Sequence, residues 1–314
     1  MDINMNYQTE TPRSFLPRDP QYGVGDKPLV GVVGHGFVGK AVERSFIAEV
    51  DRFLVDPNYG TTIDQLIERQ PALVFVCTPT PVGDNGEVDA AITCDAILKI
   101  LNTTQAGVVL KSTVTPDVIT NICNTVCDAQ QAHRFIYSPE FLTEKNAAYE
   151  FANPEYVIMG GSQESIAELA DFFEFSTVVR MPTEIDRTFC VHPVEASYIK
   201  YAINSYLAMK VTFFNQLNDA LEEDTNCLSN RVLKIISSEP RIGRTHWQAP
   251  GPDGKKGFGG ACFPKDVSAF IKFSDKFSLL ESVMDINNEY RAEYDLDDRE
   301  KEQNITFLTE GDNE

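Results

Sequence analysis

The chain has 314 residues, with 27 Lys and Arg against 47 Asp and Glu, giving a formal net charge of −20 at pH 7. That length suits about two domains, and 42% hydrophobic with 24% charged residues is ordinary globular composition, which excludes wholesale disorder. The negative charge argues against a nucleic-acid-binding face and against adsorption to anionic lipid, so an anionic ligand must be captured locally by a few basic groups and helix N-termini.

Residues 1–27 are polar and aperiodic and are expected to form a flexible N-terminal arm without an apolar signal core. No stretch of the chain approaches the roughly 18 apolar residues of a membrane span. Residues 28–190 alternate short apolar runs with amphipathic segments. The stretch LVGVVGHGFVGKAVERSF (29–46) opens as a strand, breaks at glycines and continues as a helix with Val38, Ala41, Val42 and Phe46 on one side. Further strands are predicted at 52–55, 72–76, 108–110, 134–136 and 156–159. This pattern predicts an α/β Rossmann-type doubly wound parallel sheet. Past Cys190 the pattern becomes helical, with helices predicted at 194–223, 226–237, 264–274 and 278–294 around a Gly- and Pro-rich loop at 239–261. Residues 191–294 therefore read as an all-α central domain. The segment 295–314 is expected to be a frayed acidic tail; from Glu293 onward nine acids face Arg299 and Lys301.

Seven cysteines at irregular spacing suit reduced thiols in the cytoplasm better than a disulfide framework. With four His and no second Cys pair at ligand spacing, no metal site is expected.

Gly34, Gly36 and Gly39 form G-x-G-x-x-G between a predicted strand and a predicted helix. This is the arrangement in which a backbone turn and a helix N-terminus take a pyrophosphate. Asp56 ends the second strand twenty residues beyond Gly36, where a carboxylate can accept from a ribose hydroxyl and repel a 2′-phosphate, favouring NAD over NADP. The third strand runs into Cys77-Thr78-Pro79-Thr80, and the fourth into Lys111-Ser112-Thr113. A rigid turn and a helix N-cap remain open as alternatives for these two segments. In Gly257-Phe258-Gly259-Gly260-Ala261-Cys262-Phe263-Pro264-Lys265-Asp266, glycines leave a thiol open beside a helix start and a lysine. Both should lower its pKa and favour the nucleophilic thiolate. Lys200 and Asn204 are at i and i+4 on the long helix and share a face. Glu140 and Glu144, four apart after the fifth strand, read as general bases or as N-terminal helix charges.

Taken together, GHGFVG, VFVCTPTP, KSTVTP, SPEFLTE, EASYIKYAINSYLAMK, PRIG and GFGGACFPKD, in this order over about residues 29–290, resemble the UDP-glucose/GDP-mannose dehydrogenase family. The resemblance implies an NAD-dependent four-electron oxidation of a nucleotide-sugar primary alcohol to the uronic acid, with UDP-glucose the expected substrate. It implies that Cys262 traps the aldehyde as a thiohemiacetal and then a thioester, and that Glu140 is the base for thioester hydrolysis. Lys200 and Asn204 would stabilise oxyanions, Asp266 would support Lys200 and water, and Thr113 would complete the catalytic set. For NAD it implies Gly34, His35, Gly36, Phe37, Val38, Gly39, Asp56, Cys77, Thr78, Pro79, Thr80, Ser112, Thr113, Glu144 and Lys265. For the substrate it implies Glu140, Phe141, Leu142, Glu144, Lys200, Asn204, Gly257, Phe258 and Gly259; apart from the resemblance, the charge balance leaves Lys200, Arg241, Lys255, Lys256 and Lys265 as candidate cations for a doubly anionic sugar nucleotide. Arg241 would reach the nucleotide sugar on a neighbouring subunit, implying a homodimer or larger homo-oligomer built on the long helix.

The family also carries a third, C-terminal nucleotide-binding domain, expected to begin near Asn287-Asn288-Glu289. Asp56 is followed by PNYGT, without the arginine often found there, and the stretch from Arg241 to Gly257 is a few residues long for the family. Two other readings stay open. One is a two-electron 3-hydroxyacid-type dehydrogenase, which needs no thiol. The other is a non-catalytic, truncated NAD-binding homologue.

Overall fold

The run LVGVV is apolar at nearly every position and is stable only where both faces are covered. It forms β1 (Leu29–Val33), against which neighbours pair on both sides. The computed structural model describes residues 27–83, 86–143, 146–182 and 187–308, so the predicted arm and Glu144 lie outside the described residues apart from Lys27. The other strands are β2 (Asp51–Val55), β3 (Leu73–Val76), β4 (Gly107–Leu110), β5 (Phe135–Tyr137), β6 (Val157–Gly160) and β7 (Thr188–Val191). They form one seven-stranded sheet in the order β2-β1-β3-β4-β5-β6-β7. Every residue of β3 and β4 is buried, as both-face burial demands.

The expected parallel sheet is present with one correction. β6 meets β5 antiparallel, through Tyr137 opposite Gly160, and β7 then pairs parallel with β6. The sequence does not predict β7: TFCV is an edge strand with Phe189 and Cys190 exposed, so no buried apolar run marks it.

The chain divides into two units. The first takes the described residues up to Thr78 with Ala91–Ser112 and Thr120–Ala196; the second takes Pro79–Ala90, Thr113–Ile119 and the described residues from Ser197 onward. Along the chain the strands alternate with α1 (Phe37–Ser45), α2 (Ile63–Glu68), α3 (Ala91–Thr103), α4 (Pro116–Asp128), α5 (Ala147–Ala152) and α6 (Gln163–Ser176). The core of the first unit joins Val30, Val32, Val109, Ile136 and Leu169 to the rings of Phe46, Phe75, Phe172 and Phe173. Arg134 is buried there and donates to the Leu101, Thr104 and Ala106 carbonyls at 2.8, 3.0 and 3.1 Å, satisfying the C-terminal end of α3 and the turn after it.

The helix α7 (Pro193–Glu222), in the second unit from Ser197 onward, runs 30 residues because nothing after its first position breaks it. It is followed by α8 (Ser229–Ile236), α9 (Phe263–Phe273), α10 (Ser278–Arg291) and α11 (Asp298–Glu302). Tyr201, Ala208, Phe258, Val267, Phe270, Leu280 and Val283 build its core. The frayed tail is corrected over the described part of 295–314. Asp297 and Glu300 form a capping box that starts α11, Glu300 and Ile305 are buried, and the Gln303 carbonyl accepts from Val82 N at 3.1 Å. Two of the tail's acids, Asp297 and Glu300, thus serve as a cap and a buried acceptor.

Replacing Arg134 by Met keeps the apolar stem but strips the donors from three buried carbonyls. Urea unfolding of Arg134→Met should show a loss of about 3 kcal/mol, and a loss below about 0.5 kcal/mol would mean the carbonyls find other partners.

Candidate active site

Strand order reverses between β1 and β3, and the G-x-G-x-x-G turn leaves β1 at that switch point, where open α/β sheets bind ligands. The three glycines do different things. Gly34 has φ +87°, and a Cβ there would lie 2.5 Å from the Cys77 carbonyl oxygen. A Cβ on Gly39 would lie 2.0 Å from the Gly34 carbonyl oxygen, so this glycine lets α1 pack on the turn. Gly36, the N-cap of α1, has nothing within 4 Å of a would-be Cβ and is exposed. Its bareness serves no packing need and leaves the backbone open to a phosphate. Phe37 and Val38 open the helix, with Val38 against the core.

Asp56 closes the turn from the other side. Its carboxylate accepts from His35 N at 2.8 Å and Asn58 N at 2.9 Å. Burial alone would raise its pKa, but these backbone hydrogen bonds hold it below the usual aspartate value. His35 Nδ1 meets the Tyr59 hydroxyl at 2.7 Å, while its buried Nε2 has no hydrogen-bond partner in the structure. This turn therefore fits a dinucleotide: an open glycine at a helix start, a carboxylate at the end of β2 and an unsatisfied ring nitrogen beside them.

At the end of β3, Thr78 is buried and bonded to Thr93 at 2.7 Å, and Ser112 donates to the Thr78 carbonyl at 2.7 Å. The Cys77 thiol is pushed up to about 12 by burial, so its place in the site is through backbone. In the second unit, Pro79 leads into Thr80, whose hydroxyl donates to the Thr113 carbonyl at 2.9 Å. In the first unit Glu140 is ion-paired to buried Lys111, which also donates to Ser138 Oγ at 3.0 Å. The sequence reading used Lys111 only as a neighbour of two hydroxyls; its partnership with Glu140 joins two strand ends and has no sequence spacing to betray it. The Phe141 ring lies tilted against that of Tyr156, centroids 5.0 Å apart, and Leu142 packs against the core.

The thiol loop belongs to the second unit. Cys262 is the N-cap residue of α9, with Pro264 in its first turn, as the sequence predicts. Asp266, 1% exposed, accepts from Asn204 Nδ2 at 2.6 Å and from Lys265 Nζ at 2.5 Å. Lys200 and Asn204 are both buried on α7. One expectation is corrected: the Cys262 thiol sits above, not below, its ordinary pKa. The residue is exposed, yet the protein mass around the sulfur desolvates it, and this outweighs the lowering by Lys200, Lys265 and Arg299, with Asp266 adding a further rise.

Several expected substrate contacts are engaged elsewhere. Phe258 buries its ring, while its N–H and C=O are taken by Asn287 at 2.6 and 3.0 Å. Gly257 N donates to Asn215 at 3.2 Å. Lys256 pairs with Asp219 at 2.6 Å, and Lys255 donates to the Asp295 carbonyl at 2.9 Å. Arg241 is 89% exposed by side chain and bonded to Glu239 at 2.7 Å. Among the described residues no group of His, Cys, Asp and Glu is placed to hold a metal ion.

Gly36→Ala should leave the thermal midpoint unchanged and weaken NAD binding about tenfold in calorimetry, whereas Gly39→Ala should cost about 3 kcal/mol of stability. Equal effects of the two on stability would refute the division of roles. Asp56 contributes stability that is in place above about pH 4 and lost as pH falls through its lowered pKa. Urea midpoints of the wild type and Asp56→Asn should therefore differ at pH 7 and converge in acid.

Comparison with known proteins gives this geometry a lineage. Residues 58–174 match the NAD binding domain of the UDP-glucose/GDP-mannose dehydrogenase family, and residues 194–289 match that family's central domain. The first match starts after the glycine turn. A UDP-glucose 6-dehydrogenase of Rickettsia typhi is 32% identical over 230 residues, 70% of this chain and 50% of that protein. One from Bacillus subtilis is 28% identical over 245 residues, covering 75% and 52% respectively. The chain spans about half the length of the curated relatives it matches. Among solved structures, a UDP-glucose dehydrogenase of Pyrobaculum islandicum superposes with TM-score 0.65 at 23% identity, over 87% of this chain and 70% of that one. A 3-hydroxyisobutyrate dehydrogenase of Mycobacterium tuberculosis reaches TM-score 0.64 at 15% identity, over 87% and 97%. These last two likenesses are likenesses of fold. With both family domains matched in order, and the glycine turn and thiol loop in place, the chain belongs to the UDP-glucose/GDP-mannose dehydrogenase family.

Proposed function

We propose that this protein is an NAD-dependent dehydrogenase that carries a nucleotide-sugar primary alcohol through a four-electron oxidation to the uronic acid, UDP-glucose to UDP-glucuronate, in the cytoplasm. The observation that carries the reading is Cys262, exposed at the N-cap of α9 within the field of Lys200 and Lys265, beside a buried Asp266 that holds Asn204. A two-electron alcohol dehydrogenase has no use for that thiol.

NAD supplies a hydride acceptor, held by the glycine turn and Asp56. Once the alcohol is an aldehyde, Cys262 Sγ bonds to its carbon while the aldehyde oxygen takes up a proton. That proton is the one the thiol gives up as the S–C bond forms. The resulting thiohemiacetal keeps the carbon attached between the two oxidations, so the aldehyde is not released. Transfer of the second hydride from that carbon, with release of the proton on its oxygen to water, would leave a thioester. Water then attacks, Glu140 accepts its proton, and the S–C bond breaks to give the carboxylate and the thiol. Lys200 and Asn204 stabilise negative charge on oxygen in both additions, and Asp266 fixes Asn204 for that task. Thr113, by its place in the KSTVTP motif, completes this set on the cofactor side.

A homodimer fits the exposed face of α7. Tyr198, Tyr206 and Phe213 stand 44%, 55% and 57% exposed at helical spacing, with exposed Ala202 between them, a stripe that a second copy could cover. Arg241, exposed on its loop, would then serve the neighbour's substrate. Free thiols at all seven cysteines suit a reducing compartment.

The test is stoichiometric. Two NADH per nucleotide sugar consumed, followed at 340 nm across UDP- and GDP-sugars, supports the reading; one would favour the 3-hydroxyacid-type alternative, and NAD binding without turnover the non-catalytic one. Cys262→Ala should form no uronic acid, and full activity in that variant refutes the covalent route. Light scattering on a Tyr206→Glu, Phe213→Glu double variant should report a monomer where the wild type reports a dimer.

A further inference from the structure

The region beyond residue 289, where the central-domain match ends, is not idle. Asp297 and Glu300 exchange capping bonds, Glu300 N to Asp297 Oδ1 at 2.8 Å and Asp297 N to Glu300 Oε2 at 2.9 Å. A solvated capping box would stop there. Here Glu300 is only 2% exposed, and its other oxygen, Oε1, accepts from Gly260 N at 2.8 Å, two residues before Cys262. A buried carboxylate is stable only when its oxygens are satisfied, and each of its oxygens has a backbone donor. The segment is fastened on both sides of that contact. Val82 N donates to the Gln303 carbonyl, Asn304 Nδ2 donates to the Val82 carbonyl at 3.1 Å, and Ile305 is buried. Arg291, also buried, donates to the Gly257 carbonyl at 3.0 Å and to Asp253 at 2.8 Å. There is no slack between loop and tail: a Cβ on Gly259 would lie 2.5 Å from Glu300 Oε1 and 2.6 Å from Arg291 Cζ.

We propose that Glu300 is a positioning residue for Cys262, holding the Gly260 amide so that the loop presents the thiol in one geometry. The same helix brings Arg299, whose charge acts on the thiol against the effect of burial. The proposal rests on Cys262 being the nucleophile, but its test reads the thiol directly and does not require turnover.

Peptide-resolved alkylation by iodoacetamide in the full chain gives the Cys262 rate relative to exposed Cys190, which serves as an internal reference in the first unit. Glu300→Ala should raise that ratio about tenfold, the effect of losing one charge-assisted hydrogen bond, while Glu300→Gln, whose amide oxygen still accepts from Gly260, stays within about twofold. Gly259→Ala, which forces a Cβ into the carboxylate, should behave as Glu300→Ala does. An unchanged ratio in folded Glu300→Ala overturns the proposal. Where that variant does not fold, hydrogen exchange of the Gly260 amide in the wild type decides: protection supports the hold, and exchange at the free-peptide rate overturns it. An altered ratio in a protein that turns over no nucleotide sugar leaves the positioning role standing and removes the proposed function.

Discussion

The buried carboxylate of Asp266 is the constraint on which the thiol site depends. It lies in the first turn of α9, four residues after Cys262, and bonds Asn204 of α7 with one oxygen and Lys265 with the other. A carboxyl group buried this deeply is tolerated only with both oxygens occupied, so α7 and α9 are tied together at this point. That single demand sets where the N-terminus of α9 points, and with it the backbone of Cys262. Lys200, one turn before Asn204 on the same helix, inherits its placement from the same bond. The site is a consequence of pinning two helices at one charged point, and the aromatic core of Tyr201, Phe258 and Phe270 fills in around it.

The dinucleotide turn solves its own problem by a similar economy. Three glycines in six residues would be a liability in a helix start, and two of them answer to collisions: with the Cys77 carbonyl at Gly34 and with the Gly34 carbonyl at Gly39. Only Gly36 has free space around it. Asp56 then links the ends of β1 and β2 by taking the His35 amide, so the carboxylate that would meet a ribose also holds the turn in shape. Its lowered pKa reflects the Asn58 and His35 amides that it accepts from.

Much of this was legible in the chain because it is local. Apolar runs at 29–33, 73–76 and 107–110 mark buried strands whatever lies around them. The thirty residues of α7 carry no breaker past their start, and a G-x-G-x-x-G after a strand has few other uses. The thiol loop is readable for the same reason: glycines, a cysteine, a proline and a lysine lie within a few positions. What escaped the sequence is everything that needs a partner distant along the chain. β7 is short and exposed and exists only because β6 offers it an edge. Lys111 meets Glu140 across strand ends. Glu300 looks like one acid among nine in a tail, and its burial against Gly260 has no pattern in the residues around it.

The sequence by itself determined the alternation of strand and helix, the family and which residues are proposed as reactive, because periodicity, glycine placement and residue chemistry are properties of short segments. Tertiary structure decided the partners of those groups and the direction in which burial moves the Cys262 thiol. Cys262 beside a helix start and a lysine reads as an acidic thiol, yet desolvation by the protein around it moves its pKa the other way. Desolvation is a sum over everything nearby in space, and no spacing along the chain contains it.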